Sequence, residues 1–256
     1  AGGPSSLSEA NALAALAGLI APLAIGAAAA TVLGWRTGIL VAAVGMIAVE
    51  LWRGFNISVY GEAGASAHER HRSQSMPRRI YWTLAVIMCL VGTEFVMVYW
   101  SADLLRDRAS FGPAAAAAAL ACLTGGMALG RFAGAHLARH YSIERILQLS
   151  VAVAVIGFAM AWVSLSGAVV LIGLVVTGLG LSVQWPLLVT RAVRASGGMT
   201  DRAAARCSVF ASAAIAVAPF LLGVLSDTIG VHTAFLLVPA LLAVALILMV
   251  ARPLPD

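Results

Sequence analysis

A single carboxylate stands inside an apolar stretch of the sequence. In the segment VIMCLVGTEFVMVYW, residues 86–100, Glu94 is surrounded by aliphatic and aromatic side chains. An acidic side chain at the centre of a membrane helix costs roughly 2.5–3.5 kcal/mol if it is charged. It is tolerated when it faces a water-filled cavity, is paired, or takes up a proton, which removal from water favours. We predict that Glu94 couples transport to protons or binds a cationic substrate; the alternative is a structural hydrogen bond to a neighbouring helix.

Three other polar or amphipathic residues lie in apolar surroundings. Gln184 and Trp185 precede Pro186 in the segment QWP, and Asn11 lies near the start of the first apolar stretch. Polar side chains in a membrane face protein or a cavity in preference to lipid. We therefore consider Gln184, Trp185 and Asn11 as substrate contacts. Trp185 also suits an interfacial position, and Asn11 suits a helix cap.

Metal chemistry is suggested by one pattern only. His136 and His140, followed by Glu144, place three possible ligands on one helix face, and this spacing also occurs in membrane metal enzymes. That chemistry needs more histidines than the five in this chain, and a basic helix end is the plainer interpretation. We expect no metal, no cofactor and no catalysis.

The elements that must position these residues are membrane helices. The chain is 61% hydrophobic and 11% charged, too little charge to cover a soluble domain of 256 residues. Because about 20 residues are needed to cross a bilayer as a helix, eight transmembrane helices are predicted, giving an all-α polytopic protein. They lie near residues 10–32, 37–54, 80–101, 112–137, 145–166, 168–190, 204–226 and 232–251.

The arginines predict the orientation. All sixteen basic residues are arginine, which suggests a GC-rich bacterial genome and hence the bacterial inner membrane. If the polar loop 55–79 is cytoplasmic, thirteen arginines lie inside and three outside, as the positive-inside rule requires. Both ends of this chain are then cytoplasmic. The arginines do not cluster on one soluble face, so we expect no nucleic-acid partner.

The same short pattern occurs twice. An Ala-Pro pair is followed by glycine four residues after the proline, at Pro22 and Gly26 and again at Pro219 and Gly223. Each copy leads into a second apolar helix, as in transporters built from parallel repeats. Prolines inside helices remove a backbone hydrogen bond, so we expect kinks at these two prolines and at Pro186 and Pro239. Pro22 and Pro219 are candidates for gating.

With these patterns the sequence resembles the major facilitator superfamily, membrane transporters of two six-helix halves. In GGMALGRFAGAHLARHYSIERIL, residues 125–147, Gly130, Arg131 and Gly134 resemble the second-half copy of the family's helix–loop–helix motif. A second pattern, comprising Gly18, Ala21, Pro22 and Gly26, resembles the helix-five motif of proton-driven antiporters. The third is Glu94 followed by Tyr99 and Trp100.

The resemblance implies a piece of a 6+6 bundle, holding helices five to twelve. Residues 1–54 would be the last two helices of the N-terminal half, 55–79 the central cytoplasmic loop and 80–256 the complete C-terminal half. It also implies a monomeric secondary transporter in the lipid bilayer that exports small organic compounds against protons by alternating access. Alternatives are uptake of a sugar or organic acid, a membrane sensor that transports nothing, and an intramembrane metal enzyme.

Overall fold

The computed structural model describes residues 35–53, 75–109, 112–137 and 140–253, and these ranges form helices joined by short turns. The nine helices in them are α1 (Trp35–Arg53), α2 (Arg79–Ala109), α3 (Pro113–Leu137), α4 (Ile143–Val163), α5 (Gly167–Leu181), α6 (Gln184–Ala195), α7 (Thr200–Ile229), α8 (Val231–Ala234) and α9 (Leu237–Ala251). The predicted all-α class is confirmed. The first predicted span, 10–32, lies outside the described residues.

Several segments are long and apolar enough to cross a membrane. Within the described ranges there are five, namely Arg79–Arg106, Ile143–Val163, Gly167–Ala195, Thr200–Ile229 and Val231–Ala251. A shorter apolar stretch, Arg36–Ala48, lies in α1. A multi-pass membrane protein is therefore supported, whereas eight spans and two six-helix halves stay predictions.

The chain divides into two compact units. One comprises residues 20–76 and contains α1; the other includes residues from Pro77 onward and contains α2 to α9. In the larger unit, α5 packs between α3 and α4, while α2 packs against α7 and α9. α5 and α2 therefore hold the central positions of two groups of packed helices.

Two predicted spans are broken helices. The span predicted at 168–190 consists of α5 and α6, separated at Ser182 and Val183, and the span predicted at 232–251 consists of α8 and α9. Pro186 and Pro239 are each the third residue of the helix that follows a break. A proline is tolerated there because the first turn has no internal acceptor for its missing N–H group. Both helices are interrupted next to these prolines, whereas α7 continues through Pro219.

Candidate functional site

Glu94 lies at the centre of the longest helix of the larger unit. The span was predicted to end near residue 101; α2 continues to Ala109, and Glu94 is midway along it. Its side chain is half-buried and accepts no hydrogen bond from any residue in the described ranges. The alternative of a structural hydrogen bond to a neighbouring helix therefore has no support among these residues.

The charge that acts on Glu94 comes from the neighbouring helix. α3 packs beside α2, and the Arg131 guanidinium interacts electrostatically with the Glu94 carboxylate. Arg131 is itself exposed on the larger unit. The sequence singled out both residues for different reasons, Arg131 as part of a helix–loop–helix motif and Glu94 as an intramembrane acid. The fold places this acidic side chain and this positively charged side chain within electrostatic range of each other.

The helix that carries Glu94 is held closely against α7. A Cβ atom added to Gly92 would lie 2.9 Å from the Ala218 Cβ, so the two helices meet almost backbone to backbone. Further along the same interface, toward the end of α2, a Cβ atom on Gly223 would lie 3.1 Å from Cζ2 of Trp100. Pro219 is buried next to Ala218. The Pro219 and Gly223 motif therefore lies against the same helix as Glu94, which its sequence position did not reveal.

The break between α5 and α6 is stabilised by the side chain of Gln184. In a continuous helix the Gly180 carbonyl would accept the backbone N–H of residue 184. Here Nε2 of Gln184 donates to the Gly180 carbonyl over 3.3 Å. Gln184 is 2% exposed, and its Oε1 is buried without a partner in the part of the chain that is described. Trp185 is 39% exposed, so only Trp185 of these two predicted contacts lies at the surface of the unit.

Glycines on α3 let the backbones of α3 and α5 approach each other. A Cβ atom on Gly126 would overlap the Val175 carbonyl oxygen, and one on Gly130 would overlap Oγ of Ser182. Gly134 faces Val183 in the break itself, again without room for a Cβ. Small residues at regular spacing permit this close packing. Gly130 and Gly134 thus position the broken helix, and a gating role for them stays a prediction.

The sequence did not reveal a buried ion pair between α6 and the start of α4. Arg191 of α6 is 2% exposed, and its Nε donates to Oε1 of Glu144 over 2.6 Å. Its Nη1 lies 3.4 Å from Oγ1 of Thr83, and Nη2 donates to the Arg252 carbonyl over 3.0 Å. One guanidinium therefore connects α2, α4, α6 and the end of α9. Because its partners are distant in sequence, no local spacing indicates this network.

The same ion pair removes a ligand from the predicted metal pattern. His136 and His140 lie close together, with ring centroids 5.3 Å apart, and both are exposed. Glu144 points to Arg191 instead. No group of three potential metal ligands occurs within the described ranges.

A reciprocal contact joins the end of α4 to α8. The rings of Trp162 and His232 are stacked, with centroids 4.3 Å apart and an angle of 9° between the planes. Trp162 Nε1 donates to the His232 carbonyl over 2.9 Å, and His232 Nε2 lies 3.1 Å from the Trp162 carbonyl. This contact fastens two helices that are 70 residues apart in the chain.

Three predicted site residues, Asn11, Pro22 and Gly26, lie outside the described residues. The comparison with helix five of antiporters therefore stays a prediction from sequence. The second copy of the repeat, at Pro219 and Gly223, is the one whose surroundings are known.

Comparison with known proteins gives matches among solved structures. One is described as a Major Facilitator Superfamily transporter, FucP, in the outward conformation, with a TM-score of 0.63 and 21% identity. Another is the E. coli fucose:proton symporter, FucP, with a TM-score of 0.62 and 20% identity. Each match covers 70% of this chain and 43% of the transporter, so the chain spans less than half of the proteins that it resembles. No protein-family model and no curated protein sequence matches the chain.

Proposed function

We propose that this chain, which has the fold of the major facilitator superfamily transporters, is part of a secondary active transporter that couples movement of a small organic compound to protons by alternating access. The fold itself is shared with FucP at a TM-score of 0.63. The domain limits 1–54, 55–79 and 80–256 and the orientation with both ends in the cytoplasm are part of this proposal.

The observation that carries the proposal is the position of Glu94. A carboxylate midway along a membrane helix, without a hydrogen bond from a described residue, is available to bind a proton or a substrate. Arg131 supplies a positive charge on the adjacent helix. When Glu94 takes up a proton its attraction to Arg131 is lost, so protonation changes the interaction between α2 and α3. Such a change is what couples a proton to a conformational step.

The direction of transport has two candidates. The helix-five pattern at Gly18, Ala21, Pro22 and Gly26 favours export in exchange for protons. Similarity to a fucose:proton symporter favours uptake of a sugar together with protons. In the first case substrate and protons cross in opposite directions, and in the second they cross together.

The experiment measures substrate-driven proton movement in proteoliposomes containing the protein, with a pH-sensitive dye inside. L-fucose and related monosaccharides are tested beside organic cations. Acidification of the lumen when external substrate is added indicates symport, and alkalinisation indicates antiport. Glu94→Gln keeps the shape of the side chain but cannot release a proton. We expect it to abolish substrate-driven proton movement while exchange of labelled for unlabelled substrate persists.

The matched control is Asp103→Asn, which removes a carboxylate from the same helix. Asp103 forms an exposed ion pair with Arg106 at 3.4 Å, three residues away, so its loss should leave coupling unchanged. Wild-type proton movement in Glu94→Gln would refute the coupling role. Absence of flux for every compound, in correctly folded protein, would favour a sensor that transports nothing.

A further inference from the structure

One end of the larger unit combines arginines with exposed aromatic rings. The start of α2, the start of α7 and the end of α9 meet there, since α2 packs against both of the other helices. The arginines that the structure describes at this end are Arg78, Arg79, Arg145, Arg191, Arg194, Arg202, Arg206 and Arg252. The described carboxylates are Glu144, which is paired with Arg191, and Asp201. The surface is therefore strongly positive.

The first of two arginine–aromatic pairs lies between α2 and α7. Arg206 places its guanidinium 5.4 Å from the ring centroid of Tyr81, and its Nη1 donates to the Tyr81 hydroxyl. Tyr81 is 47% exposed, so the pair lies at the surface of the unit. The contact holds the guanidinium in place while its Nε and Nη2 have no hydrogen bond to a described residue.

The second pair lies between α2 and the end of α9. The Arg252 guanidinium is 5.3 Å from the ring centroid of Trp82, which is 42% exposed. The main-chain carbonyl of Arg252 accepts from Arg191, which fixes the backbone at this point. The guanidinium donates no hydrogen bond within the described ranges. All of its N–H donors are thus available to an external acceptor.

We propose that the first turn of α2, with Arg206 and Arg252 on either side, binds the headgroup of an anionic phospholipid. Tyr81 and Trp82 lie in the first turn of a membrane-spanning helix, the depth at which such rings meet headgroups. Arginine held over a ring presents its remaining donors in a fixed fork, which suits phosphate oxygens. A lipid rather than free phosphate fits because the two exposed rings can accept acyl chains beside the charge. The predicted orientation places this surface in the cytoplasmic leaflet, and the proposal is independent of the transport function.

The test uses the full chain in nanodiscs of a neutral background lipid. Phosphatidylglycerol is added in increasing fractions in one series, and phosphatidylcholine in a second series. Native mass spectrometry counts retained lipids, and lipid titration gives the apparent affinity. We expect preferential retention of phosphatidylglycerol. Arg206→Gln and Arg252→Gln should each weaken it about tenfold or more, because each removes charge-assisted hydrogen bonds to the phosphate. Arg194→Gln removes an exposed arginine from the same end without touching either ring, so it measures the general effect of one positive charge and should weaken retention by no more than about fivefold.

Three results would overturn the proposal. Equal retention of the two lipids would remove the headgroup preference, and unchanged retention in both glutamine variants would remove these arginines from the site. Displacement of the lipid by low millimolar inorganic phosphate would assign the surface to a soluble anion. If Arg206→Gln does not fold, Arg252→Gln decides the question, because its backbone contact with Arg191 is preserved.

Discussion

Replacement of Arg191 by methionine should destabilise the protein more than any single change on its surface. The variant removes a guanidinium that is 2% exposed and leaves Glu144, 14% exposed, without its partner. Oε2 of Glu144 is already buried without a partner in the described part of the chain, so nothing nearby replaces the lost bond. Leaving one member of a buried ion pair alone costs roughly 3–5 kcal/mol. The 3.4 Å contact to Thr83 is too long to add much.

Two companion variants separate the ion pair from simple packing. Glu144→Gln keeps an oxygen that can accept from Arg191 Nε, so it should cost less, about 1–3 kcal/mol. The double variant Arg191→Met with Glu144→Leu replaces both charges by apolar groups of similar volume. Because burial of two charges carries its own desolvation cost, this variant should recover most of the stability lost in Arg191→Met.

The assay is unfolding in mixed detergent micelles, followed by helix content in circular dichroism. The free energies of the wild type, Arg191→Met, Glu144→Leu and the double variant form a double-mutant cycle, in which the coupling energy is the quantity of interest. We expect a coupling of at least about 2 kcal/mol. Equal destabilisation of Arg191→Met and the double variant would show that Glu144 is not the partner that Arg191 stabilises, and would refute this reasoning.

Two further predictions concern contacts between helices. Gly130→Ala forces a Cβ atom into Ser182 and should destabilise by roughly 1–3 kcal/mol, whereas Gly125→Ala, which meets nothing within 4 Å, should be neutral or stabilising by up to about 1 kcal/mol in the same unfolding assay. Equal effects would show that the contact between α3 and α5 is not tight. Trp162→Phe keeps an aromatic ring for stacking on His232 but loses the Nε1 donor, and should lower the free energy of unfolding by about 1 kcal/mol. An unchanged value would mean that the hydrogen bond contributes nothing.

The helices were predictable because membrane burial imposes a simple pattern on sequence. Long apolar stretches gave the spans near 112–137 and 145–166, which correspond to α3 and α4 within a few residues. The end of α2 was not predictable in this way, because the polar residues after Trp100 resemble a loop although they continue the helix to Ala109. Hydropathy identifies the residues that can lie in lipid, whereas a helix such as α2 continues past those residues.

The candidate site was predictable only where a single residue is chemically out of place. Glu94 stands out because a carboxylate in an apolar stretch is costly. Its relation to Arg131, and that of Arg191 to Glu144, depend on how helices pack, and Arg191 lies 47 residues from Glu144 in the chain. The break at Ser182 was concealed because the residues on both sides are apolar, and Pro186 indicated only that some irregularity was near.

Contacts constrain the larger unit at both ends and along its length. They limit the internal motions that this fold allows. Arg191 joins four helices at one end, and Trp162 with His232 joins α4 to α8 at the other. Between them, Gly92 holds α2 against α7 beside Pro219. A gating bend at Pro219 would have to separate α7 from α2, and so disturb the helix that carries Glu94. The contacts therefore favour motion of the unit as a whole.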